Sequence, residues 1–233
     1  MKASVFGIPD FPFGKKALPD DRLNKLKDLF RSQKITQIQV EFTTEKDVKV
    51  ADAIVCLQEK KLDLLILDME ILEGKADKPL ADTEKALVSR ALGALEKETP
   101  LCQVEFSEEE KKWLANNNLV TIKPVVLISR EEMENLPPLI RRVYDQAGMI
   151  SFLTGGVKES RAWEIKKNAS AVDAAGAIHT DIARGFIRAE VMKYDDLARI
   201  GNVNQAKNEG CLRQEGKDYI VRDGDVIEFK FSV

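Results

Sequence analysis

The sequence has few of the side chains that bind metals or form covalent cross-links, with one histidine and three cysteines among 233 residues. Cys56, Cys102 and Cys211 lie far apart without a CxxC pair, a pattern that argues against a zinc site or a disulfide framework and favours a reducing compartment. The net charge is only −3, so no overall field attracts nucleic acid. Apolar runs of the roughly 20 residues that a membrane span requires are missing. We therefore expect a cytoplasmic protein without a metal site and without a membrane partner.

Hydrophobic periodicity in the first 150 residues predicts an α/β domain. Residues 2–8 and 37–42 alternate as half-buried strands do, and residues 125–128 form the short apolar run of a strand buried in a parallel sheet. Helices are predicted between these strands, one after Asp20 or Asp21 and several within a helical insertion at about 62–118.

Within the insertion, residues 82–97 carry an apolar stripe, and Ser107 with Glu110 has the pattern of a capping box. The stripe either packs internally or forms a docking surface.

The character of the sequence changes near residue 151, which predicts a second domain over 151–233. Residues 162–167 and 187–191 have the composition of strands, and residues 174–186 have that of short helices between glycines. Asp223 and Gly224 lie between two alternating runs and predict a β-hairpin. Tyr144, Phe152 and Trp163 lie around this junction and are interpreted as core between the domains, with base stacking as the alternative.

This C-terminal part resembles a known module. AAGAIHTDIARGFIRAEVMKYDD (174–196) and EGKDYIVRDGDVIEFKFSV (215–233) are similar to the TGS domain of the YchF/Obg-like ATPase family, of the type called DUF933, and FLTGGVKESRAWEI (152–165) resembles the entry to that domain. The resemblance implies an α+β β-grasp fold that works next to RNA.

The first 150 residues resemble the same family with large pieces absent. FPFGKKALPDDRLNKLKDLF is similar to the segment that runs through the family's PDPRL motif, and LDLLILDMEILE resembles the start of its helical arm. The resemblance implies an α/β remnant of a P-loop G-domain scaffold with a short helical insertion, followed by the TGS domain.

The phosphate-binding loop of such a scaffold requires GxxxxGK[ST]. Here six residues lie between Gly7 and Gly14, two of them proline, and Lys15 is followed by Lys16. Proline supplies no N–H group, and lysine cannot ligate magnesium. Residues 44–47 lack the family's DxxG motif, and residues 129–132 keep only the acid of its NxxE motif. We therefore expect a degenerate loop, no catalytic residue, no cofactor and no enzymatic activity.

The candidate partner-binding residues lie in the C-terminal part. His179, the one histidine, is interpreted as a helix cap or core hydrogen-bonding residue, or as an RNA contact. The candidate phosphate-contacting cations are Lys158, Arg161, Lys166, Lys167, Arg184, Arg188, Lys217 and Arg222. Residues 151–233 contain 13 basic and 13 acidic side chains, so these cations either form a local basic face or are an ordinary solvated surface.

The sequence thus predicts a non-catalytic, YchF-like binding or regulatory protein whose TGS domain engages structured RNA, the ribosome or a translation-associated protein. A residual ATP- or GTP-binding protein is the alternative. A third hypothesis is a homo-oligomer that pairs an unprotected sheet edge with a second copy.

Overall fold

Two separate β-sheets organise the chain in the computed structural model, which describes residues 1–232. The strands are β1 (Lys2–Phe6), β2 (Gly14–Ala17), β3 (Lys34–Thr36), β4 (Gln39–Thr44), β5 (Ala53–Leu57), β6 (Val125–Ile128), β7 (Met149–Gly155), β8 (Glu159–Lys166), β9 (Phe186–Lys193), β10 (Arg213–Glu215) and β11 (Asp225–Phe231). The helices are α1 (Arg22–Phe30), α2 (Lys61–Ala76), α3 (Asp82–Leu95), α4 (Glu108–Asn116), α5 (Leu136–Gln146), α6 (Ala171–Ile178), α7 (Thr180–Arg184), α8 (Tyr194–Ile200) and α9 (Val203–Asn208). The chain is therefore mixed α/β.

Each sheet belongs to one compact unit. Unit 1 consists of residues 1–16 and 40–147, and unit 2 consists of residues 17–39 and 148–233. The predicted domains differ from these units chiefly at residues 17–39, which the sequence analysis placed with the first domain.

The sheet of unit 1 has the order β2-β4-β1-β5-β6. Its strands β4, β1, β5 and β6 run parallel to their neighbours. All five residues of β5 are buried, as expected for a central parallel strand that is covered on both faces. The predicted strand at 125–128 is confirmed as β6.

A helical arm follows β5 in unit 1, in agreement with the predicted insertion. Helices α2 and α3 pack together around a cluster that includes Leu72, Leu87 and Leu95. The stripe of α3 is thus buried in this arm. The predicted capping box begins α4: Ser107 Oγ accepts from Glu110 N–H at 3.2 Å, and Ser107 N–H donates to the Glu110 carboxylate at 2.8 Å.

The sheet of unit 2 has the order β10-β9-β11-β7-β8-β3. Strands β7 and β8 form an antiparallel hairpin, and β11 lies parallel to β7. Helices α6 and α7 cover one face around a core that contains Phe152, Ala189, Val191 and Phe229. Trp163 packs against the same core at 6.4 Å from the Phe152 ring.

Residues 17–39 add a helix and an edge strand to this sheet. Strand β3 pairs in parallel with β8, and α1 packs against β7 and β8 with Leu23 and Leu26 fully buried. The helix predicted after Asp20 or Asp21 is confirmed as α1, but periodicity indicates only which face of a helix is covered and not which sheet covers it.

The hairpin predicted around Asp223 and Gly224 is wrong. Gly224 has the expected left-handed conformation, with φ of 82°, but the residues before the turn do not pair with β11. Instead, Ile220 forms a bridge with Ser170, and β11 pairs with β9 and β7.

Candidate functional site

Apolar side chains fill the loop that connects β1 with β2. Ile8 and Phe11 are each only 3% exposed, and the Phe11 ring lies 5.1 Å from that of Phe42. Gly7 has φ of +71°, and a Cβ at this position would lie 3.2 Å from the Lys60 stem. The inside of the loop is therefore occupied by protein side chains.

Gly14, Lys15 and Lys16 lie in strand β2. In a phosphate-binding loop the corresponding lysine begins a helix, whose free N–H groups point at the phosphates. Residues 7–17 contain no helix. That residues 7–17 form a degenerate loop stays a prediction, but residues 14–17 are an extended strand, and the segment offers no helix N-terminus.

Ion pairs lie within and between the segments that follow β5 and β6, at the carboxyl ends of two parallel strands. Arg130 Nη2 lies 2.6 Å from Glu59, and Lys60 Nζ lies 2.8 Å from Asp63. Glu132, the acid kept from the NxxE position, accepts from Ser129 N–H at 2.7 Å and pairs with Arg142 at 2.6 Å. The Ser129 N–H and the Arg142 guanidinium lower the pKa of Glu132 despite partial desolvation. This edge of the sheet thus concentrates paired charges.

His179 is the N-cap of α7. Its Nδ1 accepts a hydrogen bond from Asp181 N–H at 3.2 Å, while the side chain is 63% exposed. This geometry corresponds to the cap interpretation, and the exposed edge of the ring leaves an RNA contact as a proposal. Arg184, at the other end of α7, pairs with Asp181 at 2.9 Å.

The other candidate cations do not form one cluster. Lys166 and Lys167 precede α6, and Lys217 lies beside its first turn, because Val172 N–H donates to Lys217 O. Lys167 and Lys217 are exposed and form no ion pair within residues 1–232. These three lysines, at positions 166, 167 and 217, are called the α6 lysines below.

The remaining four cations lie in different places. Lys158 is exposed in the turn between β7 and β8, and Arg161 stacks on the Trp163 ring at 3.9 Å from its centroid. Arg188 pairs with Glu190 at 3.1 Å, and Arg222 lines an open cleft of about 350 Å³ beside Asp223.

The role of residues 20–22 was not predicted from the sequence. Arg22 donates to both oxygens of Asp20, at 2.8 and 2.7 Å, and to Asp223 at 2.7 Å. These residues belong to the stretch that resembles the PDPRL motif, so the motif itself was the available signal. Within residues 1–232, no group of three acidic, histidine or cysteine side chains is placed to bind a metal ion. None of the helices in that range has the length and apolar character of a membrane span.

Residues 149–232 match the YchF-GTPase_C family, described as a protein of unknown function (DUF933). "Ribosome-binding ATPase YchF" of Bacillus subtilis (strain 168) is 28% identical over 322 residues, which cover 93% of this chain and 88% of that protein. The chain therefore resembles the YchF/Obg-like ATPase family. The Bacillus alignment is longer than the 233-residue chain, so stretches of that YchF protein have no counterpart here.

Other YchF and Obg-like proteins match over shorter stretches. "Obg-like ATPase 1" of Rattus norvegicus is 42% identical over 147 residues, which cover 63% of this chain and 33% of that protein. The chain thus spans about a third of that relative's length. "Structure of the Schizosaccharomyces pombe YchF GTPase" has a TM-score of 0.78 at 19% identity, covering 98% of this chain and 97% of that chain. This likeness shows the fold.

The comparisons correct one expectation. We expected no enzymatic activity from the sequence, but the relatives are named ATPases and a GTPase. The expectation is wrong, because these names point to an NTPase family.

Proposed function

We propose that this chain is a ribosome-associated member of the YchF/Obg-like family, and that unit 2 carries the contact with ribosomal RNA. The name of the Bacillus relative supports association with the ribosome. The family match covers residues 149–232, which make up most of unit 2, and this supports unit 2 as the part of the chain that retains the family's binding role.

The arrangement of unit 2 supports its assignment as a TGS β-grasp module. A hairpin of β7 and β8 is followed by α6, and the later strand β11 lies parallel to β7 in the middle of the sheet. In this assignment, residues 17–39 supply an extra helix and an edge strand.

Two of the α6 lysines, Lys167 and Lys217, support the proposal of an RNA contact. Lys167 precedes α6 and Lys217 lies beside its first turn; both are exposed, and neither forms an ion pair with a carboxylate within residues 1–232. Unpaired cations attract phosphates and release counterions on binding, which gives salt-dependent affinity. Most of the other candidate arginines already have a carboxylate or an aromatic partner.

Co-sedimentation with ribosomal subunits over a range of salt concentrations tests the proposal. We expect binding at low salt that weakens as salt rises, and a Lys167→Glu/Lys217→Glu double variant that binds about tenfold more weakly with a shallower salt dependence. Lys207→Glu is the matched control, because Lys207 is also an exposed lysine of unit 2 but does not lie beside α6. It lies on α9 and lines a cavity together with Met192 and Val226. Failure of the wild-type chain to sediment with subunits at low salt would overturn the proposal.

The family's nucleotide chemistry is a second candidate function, located in unit 1. Parallel α/β sheets bind ligands in the crevice beyond the carboxyl ends of their strands. Lys60 follows β5 in that crevice and packs against Gly7. We therefore place a nucleotide beside Lys60 rather than beside Lys15, and thermal denaturation with ATP and Mg²⁺ tests this placement.

A further inference from the structure

Strand β6 ends the sheet of unit 1, so one side of its backbone has no neighbouring strand within residues 1–232. On its inner side, Ile54 N–H donates to Pro124 O, and the register pairs Ile54 with Val125 and Cys56 with Leu127. In a parallel ladder this register turns the N–H and C=O groups of Val125 and Leu127 away from β5. Four backbone groups therefore face the outer edge.

Side chains of the same unit cover two of these four groups. Burial raises the pKa of the Cys102 thiol, and the Val125 N–H, which faces this thiol, opposes the shift. Arg142 Nη2 donates to Leu127 O at 3.2 Å. The structure gives no hydrogen bond, among residues 1–232, to the other two groups, which are Val125 C=O and Leu127 N–H.

A groove of about 380 Å³ lies along this edge. It is lined by Cys102, Gln103, Pro124, Val125, Leu127 and Gln146. Cys102 and Leu127 both pack against the buried cluster that contains Val125, and Gln146 ends α5, which also contacts β6. The lining therefore contains apolar and amide side chains, and the Arg142 guanidinium that reaches the edge at Leu127 O is already paired with Glu132.

We propose that this groove binds an uncharged, extended peptide segment as an additional strand parallel to β6. In a parallel pair, one residue of the added strand bonds to two residues of β6. Its N–H donates to the C=O of the first, and its C=O accepts from the N–H of the residue two positions later. Val125 C=O and Leu127 N–H are spaced in this way. An antiparallel strand instead uses both groups of a single residue, and at Val125 and at Leu127 one of the two is already covered.

The same pattern disfavours a second copy of the chain as the occupant. Two copies related by a two-fold axis through this edge would pair their β6 strands in antiparallel orientation, which requires the covered Val125 N–H and Leu127 C=O. Such pairing would also bring the Arg142 side chains of both copies to one narrow edge. A single peptide strand avoids both conflicts, and its recognition follows the general mode of strand addition at an open edge.

Titration of the isotopically labelled full chain with a capped eight-residue peptide of alternating threonine and valine, followed by NMR, tests the proposal. We expect the Leu127 amide to shift and its hydrogen exchange to slow in proportion to bound peptide. The same peptide with N-methyl groups on alternate residues should bind about tenfold more weakly, because it lacks N–H donors on one edge.

Two substitutions at one position provide the matched control. Leu127→Pro removes the outward N–H while leaving the ladder to β5 intact, and should reduce peptide affinity about tenfold. Leu127→Ala keeps the N–H and should retain most of the affinity. Equal binding by both variants, or no shift at Leu127 in the wild type, would overturn the proposal. Light scattering that shows a dimer of the wild type which Leu127→Pro abolishes would assign the edge to a second copy and overturn it as well.

Discussion

Arg22 Nη1 lies 2.7 Å from Asp223 Oδ2, although 201 residues separate the two in the chain. The same guanidinium binds Asp20, and the other Asp223 oxygen accepts from Ser151 N–H at 2.8 Å. Gly224 leaves room for this arrangement, since a Cβ there would lie 2.8 Å from Arg22 Nη1. The contact fastens the start of α1 to the turn before β11, and thus explains why residues 17–39 belong to unit 2.

Replacement of Arg22 should therefore destabilise unit 2. We expect Arg22→Leu to lower the free energy of unfolding by about 2–3 kcal/mol, because two carboxylates lose a charged hydrogen-bond donor. Lys25→Leu, at an exposed position of the same helix, should change it by less than about 0.5 kcal/mol. Urea unfolding in a Trp113→Phe background, where Trp163 fluorescence reports on unit 2, measures both. Equal stability of the two variants would contradict the role given to Arg22.

Gly155 should tolerate no larger side chain, because a Cβ at this position would overlap the Phe30 ring. We expect Gly155→Ala to cost about 1–3 kcal/mol, as overpacking usually does. Phe30→Ala removes the ring, so the double variant should be more stable than the sum of the two single effects implies. Thermal unfolding of the wild type, the two single variants and the double variant completes this double-mutant cycle. Strictly additive losses of stability would argue against a contact between Gly155 and Phe30.

Local signals in the sequence predicted the elements whose cause is itself local. The Ser107–Glu110 capping box, the buried strand at 125–128 and the helices of the arm all follow from spacing within a few residues. The partner of α1 was not predictable in this way, because its apolar face fits any sheet. The hairpin at Asp223 failed for the same reason: turn chemistry fixes the turn at Gly224, while long-range pairing decides which strands join.

The candidate site was predictable only as a set of residue types. Sequence alone selects the cations of residues 151–233, but it does not show that Arg188 is paired with Glu190, whereas Lys217 has no ion-pair partner in the described part of the chain, residues 1–232. One missed residue did have a signal. Asp68 is an acid within the apolar run of α2, and an acid there requires a buried partner.

Asp68 is fully buried and accepts three hydrogen bonds: from Val120 N–H at 2.7 Å, Thr121 N–H at 2.8 Å and Thr121 Oγ1 at 2.6 Å. We expect Asp68→Ala to lower the free energy of unfolding by about 3–5 kcal/mol, since it leaves buried donors unpaired. Asp68→Asn keeps one acceptor and should cost less. Urea unfolding measures both, and an alanine variant as stable as the wild type would remove the structural role of this carboxylate.

The same residue gives a pH dependence. Burial raises the pKa of Asp68 above its ordinary value of 3.8, although the Thr121 and Val120 donors oppose this shift. The folded state thus holds the proton more tightly than the unfolded chain does. The contribution of Asp68 to the free energy of unfolding is therefore largest below pH 3.8 and declines as the pH rises through the folded-state pKa. Unfolding free energies of the wild type relative to Asp68→Asn should therefore decrease with rising pH and then level off. A relative increase with pH would contradict the sign.

Cysteine reactivity should follow burial. Cys56 is fully buried, and desolvation, with a smaller effect of Asp63, raises its thiol pKa to about 12. The thiolate is the reactive form, so iodoacetamide at pH 8 should modify the partly exposed Cys211 well before Cys56. Mass spectrometry of digested protein measures the order, and denatured protein, in which all three cysteines react, is the control. Faster labelling of Cys56 in the folded chain would contradict the burial of β5.

Lys15 and Lys60 distinguish two places for a nucleotide. Lys15 lies in the edge strand β2, without a helix N-terminus to support a phosphate, whereas Lys60 lies in the crevice beside Gly7. We expect ATP with Mg²⁺ to raise the melting temperature of the wild type and of Lys15→Ala equally, because ligand binding stabilises the folded state. Lys60→Ala should reduce the shift, and ATP hydrolysis should follow the same order. A shift that Lys15→Ala abolishes would restore Lys15 as a phosphate-binding residue, and no shift in the wild type would remove the nucleotide site from unit 1.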